Sequence, residues 1–136
     1  MVLQYYCINQ VIQWGDIVEL TFDNNIPIYI QLLEYLKIYL ISGVFKCGEK
    51  LPSVREFANN FKVNPNTMQK ALNELESLNL IYTERTNGKY VTKNKGIILK
   101  LKDEYAMTLA KSYIIGMKKI GLGLSDSIKY IERIDK

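Results

Sequence analysis

Residues 51–92 read LPSVREFANNFKVNPNTMQKALNELESLNLIYTERTNGKYVT, and the fold turns on how they are parsed. Ser53 has the short oxygen side chain that caps a helix N-terminus, and Glu56 stands three residues on, at the capping-box spacing. Val54, Phe57, Ala58 and Phe61 follow at i, i+3, i+4 and i+7, the apolar stripe of a short helix. Lys62-Val63 supplies a turn. Asn64 can cap the next helix, and Pro65 suits its first position, where no N–H is needed. Met68, Ala71, Leu72, Leu75 and Leu78 make the buried face of this second helix. Asn66, Thr67, Gln69, Lys70 and Asn73 make the opposite face, with side chains of the kind that bond to base edges and phosphates.

After Leu78 the pattern changes to period two. Leu80, Tyr82 and Glu84 alternate with Ile81, Thr83 and Arg85, and Tyr90-Val91-Thr92 follows. Asn87-Gly88 between two strand-like runs signals a hairpin. The expected fold is mainly α with a small β-hairpin: an N-terminal winged helix-turn-helix, then a two-helix C-terminal dimerisation segment. In such a fold the second helix would lie in the major groove of DNA. The hairpin tip, with Arg85, Lys89 and the Gly88 backbone, would touch the flanking backbone or minor groove.

Other stretches join this one in a recognisable combination. Pro27-Ile28-Tyr29 with Gln31 opens a helix that Ser42-Gly43 closes. Gly48-Glu49-Lys50-Leu51-Pro52-Ser53-Val54-Arg55-Glu56, Val63-Asn64-Pro65-Asn66-Thr67 and Gly88-Lys89-Tyr90-Val91 complete it. The combination resembles the GntR family of bacterial transcription regulators, in particular its short YtrA-like branch. It covers residues 26–92 closely, and the tail to 136 by length and helical character. The resemblance implies that Ser53 and Arg55 approach the DNA backbone. It implies recognition-helix contacts from Asn64, Asn66, Thr67, Gln69 and Lys70, and wing contacts from Arg85, Thr86, Gly88, Lys89 and Tyr90. Members of the branch often govern transporter genes, so the resemblance points to that class of target. Cys47 stands where the family usually has proline. Pro65 and Gln69 stand where many relatives carry arginine, so the base preference of relatives does not carry over.

Composition narrows the function from another side. A chain of 136 residues holds one compact domain and a small appendage. Its 48% hydrophobic and 24% charged residues are those of an ordinary soluble globular protein. No stretch approaches the ~20 apolar residues of a membrane span, and the first residues lack the basic region of a secretory signal. The expected compartment is therefore the cytoplasm, without membrane association. Cys7 and Cys47 have no metal-ligand spacing and read as two free thiols.

The chain has no histidine, which removes the common general base, the triads built on it and the HExxH zinc site. Gly121-Leu-Gly123 lacks the third glycine and the preceding strand of a dinucleotide loop. Asp103-Glu104 and the Asp16/Glu19 pair read as solvated faces. No catalytic residue, cofactor or metal is expected, and the chain does not read as an enzyme. The net charge of +4 is uneven, with eight basic and three acidic residues between 62 and 102. That excess falls on the recognition helix, the wing and the segment leaving it, as a polyanion partner requires.

The rest of the chain divides around this centre. Residues 1–25 form an N-terminal arm; over 1–16 a disordered lead and an arm packed on a partner subunit are both open. Ile17 to Asp23 alternates like a short strand, and Asn24-Asn25 is a turn. A helix runs from Pro27 to about Ser42, apolar on more than one side, with Gly43 as its stop. Val44 to Lys50 is a loop, and Leu51 a short strand pairing with the wing. The winged helix-turn-helix domain spans 26–93. A polar hinge at Lys93-Asn94-Lys95-Gly96 precedes the C-terminal segment, 97–136. There a long helix ends near Ile120, and Ser125 and Asp126 cap a last helix whose Ile128, Ile131 and Ile134 face inward. Two amphipathic helices cannot bury two apolar faces alone, so a second copy of the chain is expected to cover them. The alternative is an intramolecular hairpin packed on the 27–42 helix.

The expected function is a sequence-specific DNA-binding transcription regulator, a dimeric repressor of its own or a transporter operon. Its partners are double-stranded DNA carrying a palindromic operator, with half-sites ~34 Å apart, and a second copy of itself. A small-molecule effector is left open. The alternative is a winged-helix module that binds protein and no DNA; an RNA-binding winged helix is a third reading.

Overall fold

The computed structural model describes residues 22–135, which form five helices and one hairpin. They are α1 (Ile28–Ile41), α2 (Val54–Phe61), α3 (Pro65–Ser77), β1 (Ile81–Glu84), β2 (Gly88–Val91), α4 (Lys95–Lys119) and α5 (Leu124–Ile134). The chain divides into two compact units, one ending at Ile98 and one beginning at Leu99. The arm and strand expected before Phe22 lie outside the described residues. Phe22 and Asp23 belong to no strand.

In the first unit α3 packs against α1, α2 and β1. Met68, Ala71, Leu72 and Leu75 are at most 1% exposed, so four residues of the expected stripe are the floor of the core. Leu78 is a correction. It is the C-cap residue of α3 and is 46% exposed, because the helix ends before its side chain turns back under the core. Leu32, Leu36 and Leu40 meet α3 from the α1 side, and Phe57, Ala58 and Phe61 come from α2. Tyr39, Phe45, Phe57 and Phe61 form a buried aromatic cluster with ring centroids 5.8–6.2 Å apart, within the range where aromatic pairs attract. Gln31 is buried but fully used. Its Oε1 accepts from Asp23 N, and its Nε2 donates to the carbonyls of Asp23 and Ile26, which ties the lead-in segment to α1.

Three helices end in the same hydrogen-bonded turn, in which one residue takes left-handed backbone angles and the next N–H reaches back five residues. Lys62 fills that position after α2 with φ 53°, where Lys62 N–H bonds to Asn59 and Val63 N–H to Ala58. Asn79 fills it after α3 with φ 61°, and Gly121 after α4 with φ 85°. This turn, set by Lys62-Val63, fixes the angle between α2 and α3.

The hairpin signalled by Asn87-Gly88 is present as β1 and β2. Glu84 pairs with Gly88, so the connection is the three residues Arg85-Thr86-Asn87, and Gly88 opens β2 at φ 106°. A three-residue loop of this kind requires a residue at positive φ after the turn, which Gly88 provides. The strand expected at Leu51 is a single bridge, Lys50 to Tyr90, on the other edge of β2.

Lys95 and Gly96 of the expected polar hinge lie in the first turn of α4, and Lys93 and Asn94 precede it. Asn94 caps it directly, its Oδ1 accepting from Gly96 N–H at 3.0 Å. In the second unit, Gly123 rather than Ser125 or Asp126 is the N-cap of α5. Ser125 and Asp126 fall inside the first turn, where an acidic side chain still favours the positive helix end. Tyr113 Oη donates to Ser127 O at 2.8 Å, and Ser127, 1% exposed, is the buried residue of α5. Ile128, Ile131 and Ile134, expected to face inward, are 47–74% exposed.

Lys62 pays a steric cost for its left-handed angles that glycine does not, on the order of 1 kcal/mol. Lys62→Gly is expected to raise unfolding stability by about 0.5 kcal/mol once glycine's larger unfolded-state entropy is counted, and Lys62→Ala to give no gain. Chemical denaturation of both variants checks this. A stabilised Lys62→Ala would mean that the backbone angle is not the cause.

Candidate nucleic-acid interface

The polar face of α3 is exposed because the opposite face is fully spent on the core. Asn64, at the N-cap with extended backbone angles, accepts from Asn66 N–H through Oδ1 at 2.8 Å. That bond uses the Asn64 side chain to start the helix and leaves the Asn66 side chain exposed beside it. Pro65 occupies the first helical turn, as its ring and missing donor favour. Gln69 is half-buried and donates through Nε2 to Asn73 Oδ1 at 2.8 Å. Lys70 places its ammonium 3.8 Å from the ring centroid of Tyr29 on α1, a cation–π contact. Thr67 is half-buried at the edge of the same face.

At the start of α2, Ser53 Oγ accepts from Glu56 N–H at 3.2 Å, so its hydroxyl works as the helix cap. Arg55 is exposed and makes no ion pair among the described residues. The wing loop presents Arg85 and Thr86 to solvent, together with the Gly88 backbone.

Two expected wing residues already have side-chain partners within the protein. Tyr90 is half-buried and stacks on its cross-strand partner Tyr82 with centroids 5.6 Å apart. Lys89 lies 3.0 Å from Thr83 Oγ1 and 3.5 Å from Glu76 Oε2 on α3. The Thr83 hydroxyl bonds to the Glu76 carboxylate as well, and that bond, followed by attraction to the Lys89 ammonium, holds the Glu76 carboxyl below its ordinary range. Sequence reasoning missed Glu76, Tyr29 and Lys50, whose partners lie in other elements. Among the described residues no helix is long and apolar enough to cross a membrane.

Comparisons with known proteins agree with this geometry. Residues 28–91 match the family described as bacterial regulatory proteins, gntR family. The chain is 36% identical to the HTH-type transcriptional repressor YtrA of Bacillus subtilis (strain 168), over 82% of this chain and 86% of that one. It is 33% identical to the HTH-type transcriptional regulator YhcF of the same organism, over 82% of this chain and 92% of that one. Among solved structures, a GntR family transcriptional regulator from Listeria monocytogenes superposes with TM-score 0.75 at 38% identity, covering 82% of this chain and 98% of that chain. A transcriptional regulator from Oenococcus oeni gives 0.67 at 30%, covering 85% and 95%. These relatives are regulators, not enzymes.

The Glu76 carboxyl titrates lower in the folded chain than in the unfolded one. Its ionised form therefore stabilises the fold above the ordinary glutamate pKa of about 4.3, and the contribution is lost as pH falls through the lower folded value. Glu76→Gln is expected to cost on the order of 0.5 kcal/mol at pH 7, a small figure because the carboxylate is 38% exposed. The difference from wild type should shrink as pH falls below the ordinary glutamate range. Thermal melts of both proteins from pH 7 down through that range test it; a gap that does not narrow would exclude the ionised carboxylate as its source.

Proposed function

The chain belongs to the GntR family of bacterial transcription regulators, and from that premise we propose that it is a cytoplasmic homodimer that binds a palindromic operator in double-stranded DNA and represses the genes beside it. The observation that carries the reading is α3: one face wholly buried, the other polar, beginning at Asn64 and flanked by an exposed wing. Helix-turn-helix proteins contact bases mainly from the N-terminal residues of such a helix. The expected contacts are Asn66 and Gln69 to bases, and Arg55, Thr67 and Lys70 to phosphates, with Ser53 and Asn64 holding the helix starts. The Asn66 side chain is exposed and makes no hydrogen bond among the described residues. Gln69 must release Asn73 before its amide can pair bidentately with adenine. Repression is supported by the YtrA relative, a transcriptional repressor. Support for the dimer comes from the second unit, where Met107, Leu109, Ile115, Ile128 and Ile131 are all about half exposed. Large apolar side chains left exposed in this number suit a surface that another chain covers.

Selection of bound fragments from random duplex DNA tests the readout. Asn66→Ala and Gln69→Ala are each expected to erase preference at one symmetric pair of positions, a loss of ~1–3 kcal/mol of discrimination. Uniformly weaker binding with the same consensus would assign both amides to the phosphates.

The assembly has its own measurement. Full-length wild type is expected to scatter light as a dimer, and Leu109→Glu/Ile131→Glu as a monomer whose binding to a palindrome is weakened by loss of two-site engagement. A wild-type monomer would exclude the dimer.

A further inference from the structure

The cations of the wing are not equivalent. Alternate side chains of a pleated strand leave opposite faces. Thr83 and Lys89 are paired across the hairpin and share the face that carries buried Ile81 and Val91. On that face the Lys89 ammonium meets Thr83 and Glu76, and its side chain is only 16% exposed. Tyr82, Gly88 and Tyr90 belong to the other face. The bridge from Lys50 to Tyr90 is closed by Leu51 N–H donating to Lys89 O at 2.8 Å and Val91 N–H donating to Glu49 O at 2.9 Å. It sets Lys50 opposite Tyr90 on that outer face. The Lys50 stem lies along Gly88, its Cε 3.6 Å from where a Cβ would stand. Lys50 is exposed and makes no ion pair among the described residues; the same holds for Arg85 in the loop.

We propose that Lys50 and Arg85 are the phosphate-binding cations of the wing, and that Lys89 is a positioning residue that fixes the wing to α3 through Glu76. The proposal rests on the DNA-binding reading above. A free surface cation that meets a phosphate releases counterions and gives up no protein partner. Lys89 would have to leave a carboxylate, and it would leave that carboxylate facing a phosphate of like charge. Lys50 was expected in a connecting loop; the bridge carries it to the wing.

The test is the salt dependence of duplex binding by the full chain, measured for wild type, Lys50→Ala, Arg85→Ala, Lys89→Met, Glu76→Lys and Glu76→Lys/Lys89→Glu. Lys50→Ala and Arg85→Ala are each expected to lower the slope of log K against log salt by about one unit per bound protomer. Lys89→Met is expected to keep the wild-type slope while binding about two- to fivefold more weakly at fixed salt. The charge swap should recover affinity that Glu76→Lys alone loses, which a merely structural role for either residue would not produce. A Lys89→Met slope lowered by one unit, an unchanged Lys50→Ala slope or a swap without recovery overturns the assignment. Wild type that selects no duplex DNA at any salt overturns the DNA-binding reading itself, an outcome separable from the others.

Discussion

Burial of one face of α3 is the constraint on which the rest depends. Met68, Ala71, Leu72 and Leu75 lie almost without exposure between α1, α2 and the first strand of the wing. Truncating a residue such as Leu72 to alanine in a core of this kind costs ~2–5 kcal/mol. Rotation of α3 by even a quarter turn would pull these side chains out, so the polar face has one direction available to it. Core packing and the presentation of Asn66, Lys70 and Asn73 are thus a single fact about one helix. α2 adds the second restraint: its left-handed turn at Lys62 sets the crossing of the two helices with two backbone bonds.

Much of this was legible because it is local. Ser53 with Glu56, and Asn64 with Asn66, are contacts within three residues, and the helix starts they predict are the ones observed. The four inner positions of α3 follow from a 3.6-residue period alone. What was illegible joins distant parts of the chain. Lys89 and Glu76 stand in different elements, and neither residue type announces which way a strand will turn it. Tyr29 and Lys70 meet across two helices. Lys50 reaches the wing by a single bridge, too short to leave an alternating pattern. Asn87-Gly88 marked the hairpin but not its loop length, since it fits a two-residue turn as well as the closing half of a three-residue one. At α5, serine and aspartate invited a cap that Gly123 takes instead, because the preceding turn at Gly121 ends two residues earlier.

Two side chains of the proposed reading face already have partners within the protein. Lys70 rests on Tyr29, and Gln69 on Asn73. Such contacts reduce the rotamer freedom that binding would otherwise remove, about 0.5–1.5 kcal/mol for each ordered long side chain. They also impose a cost where the partner must be released. Preorganisation and competition come from the same contacts, and their balance differs from residue to residue along α3.

The second unit closes on a phenol donating to a backbone carbonyl rather than on a zipper of isoleucines. Tyr113 and Ser127 supply an inner contact, and among the described residues Ile128, Ile131 and Ile134 stay about half exposed or more. A segment built this way draws its stability from whatever covers it, and mass action then makes that stability rise with the cover's concentration. If the cover is a second copy, cellular abundance becomes a control variable. Small changes in synthesis or dilution at division would shift the folded, DNA-competent fraction more steeply than they shift the number of chains.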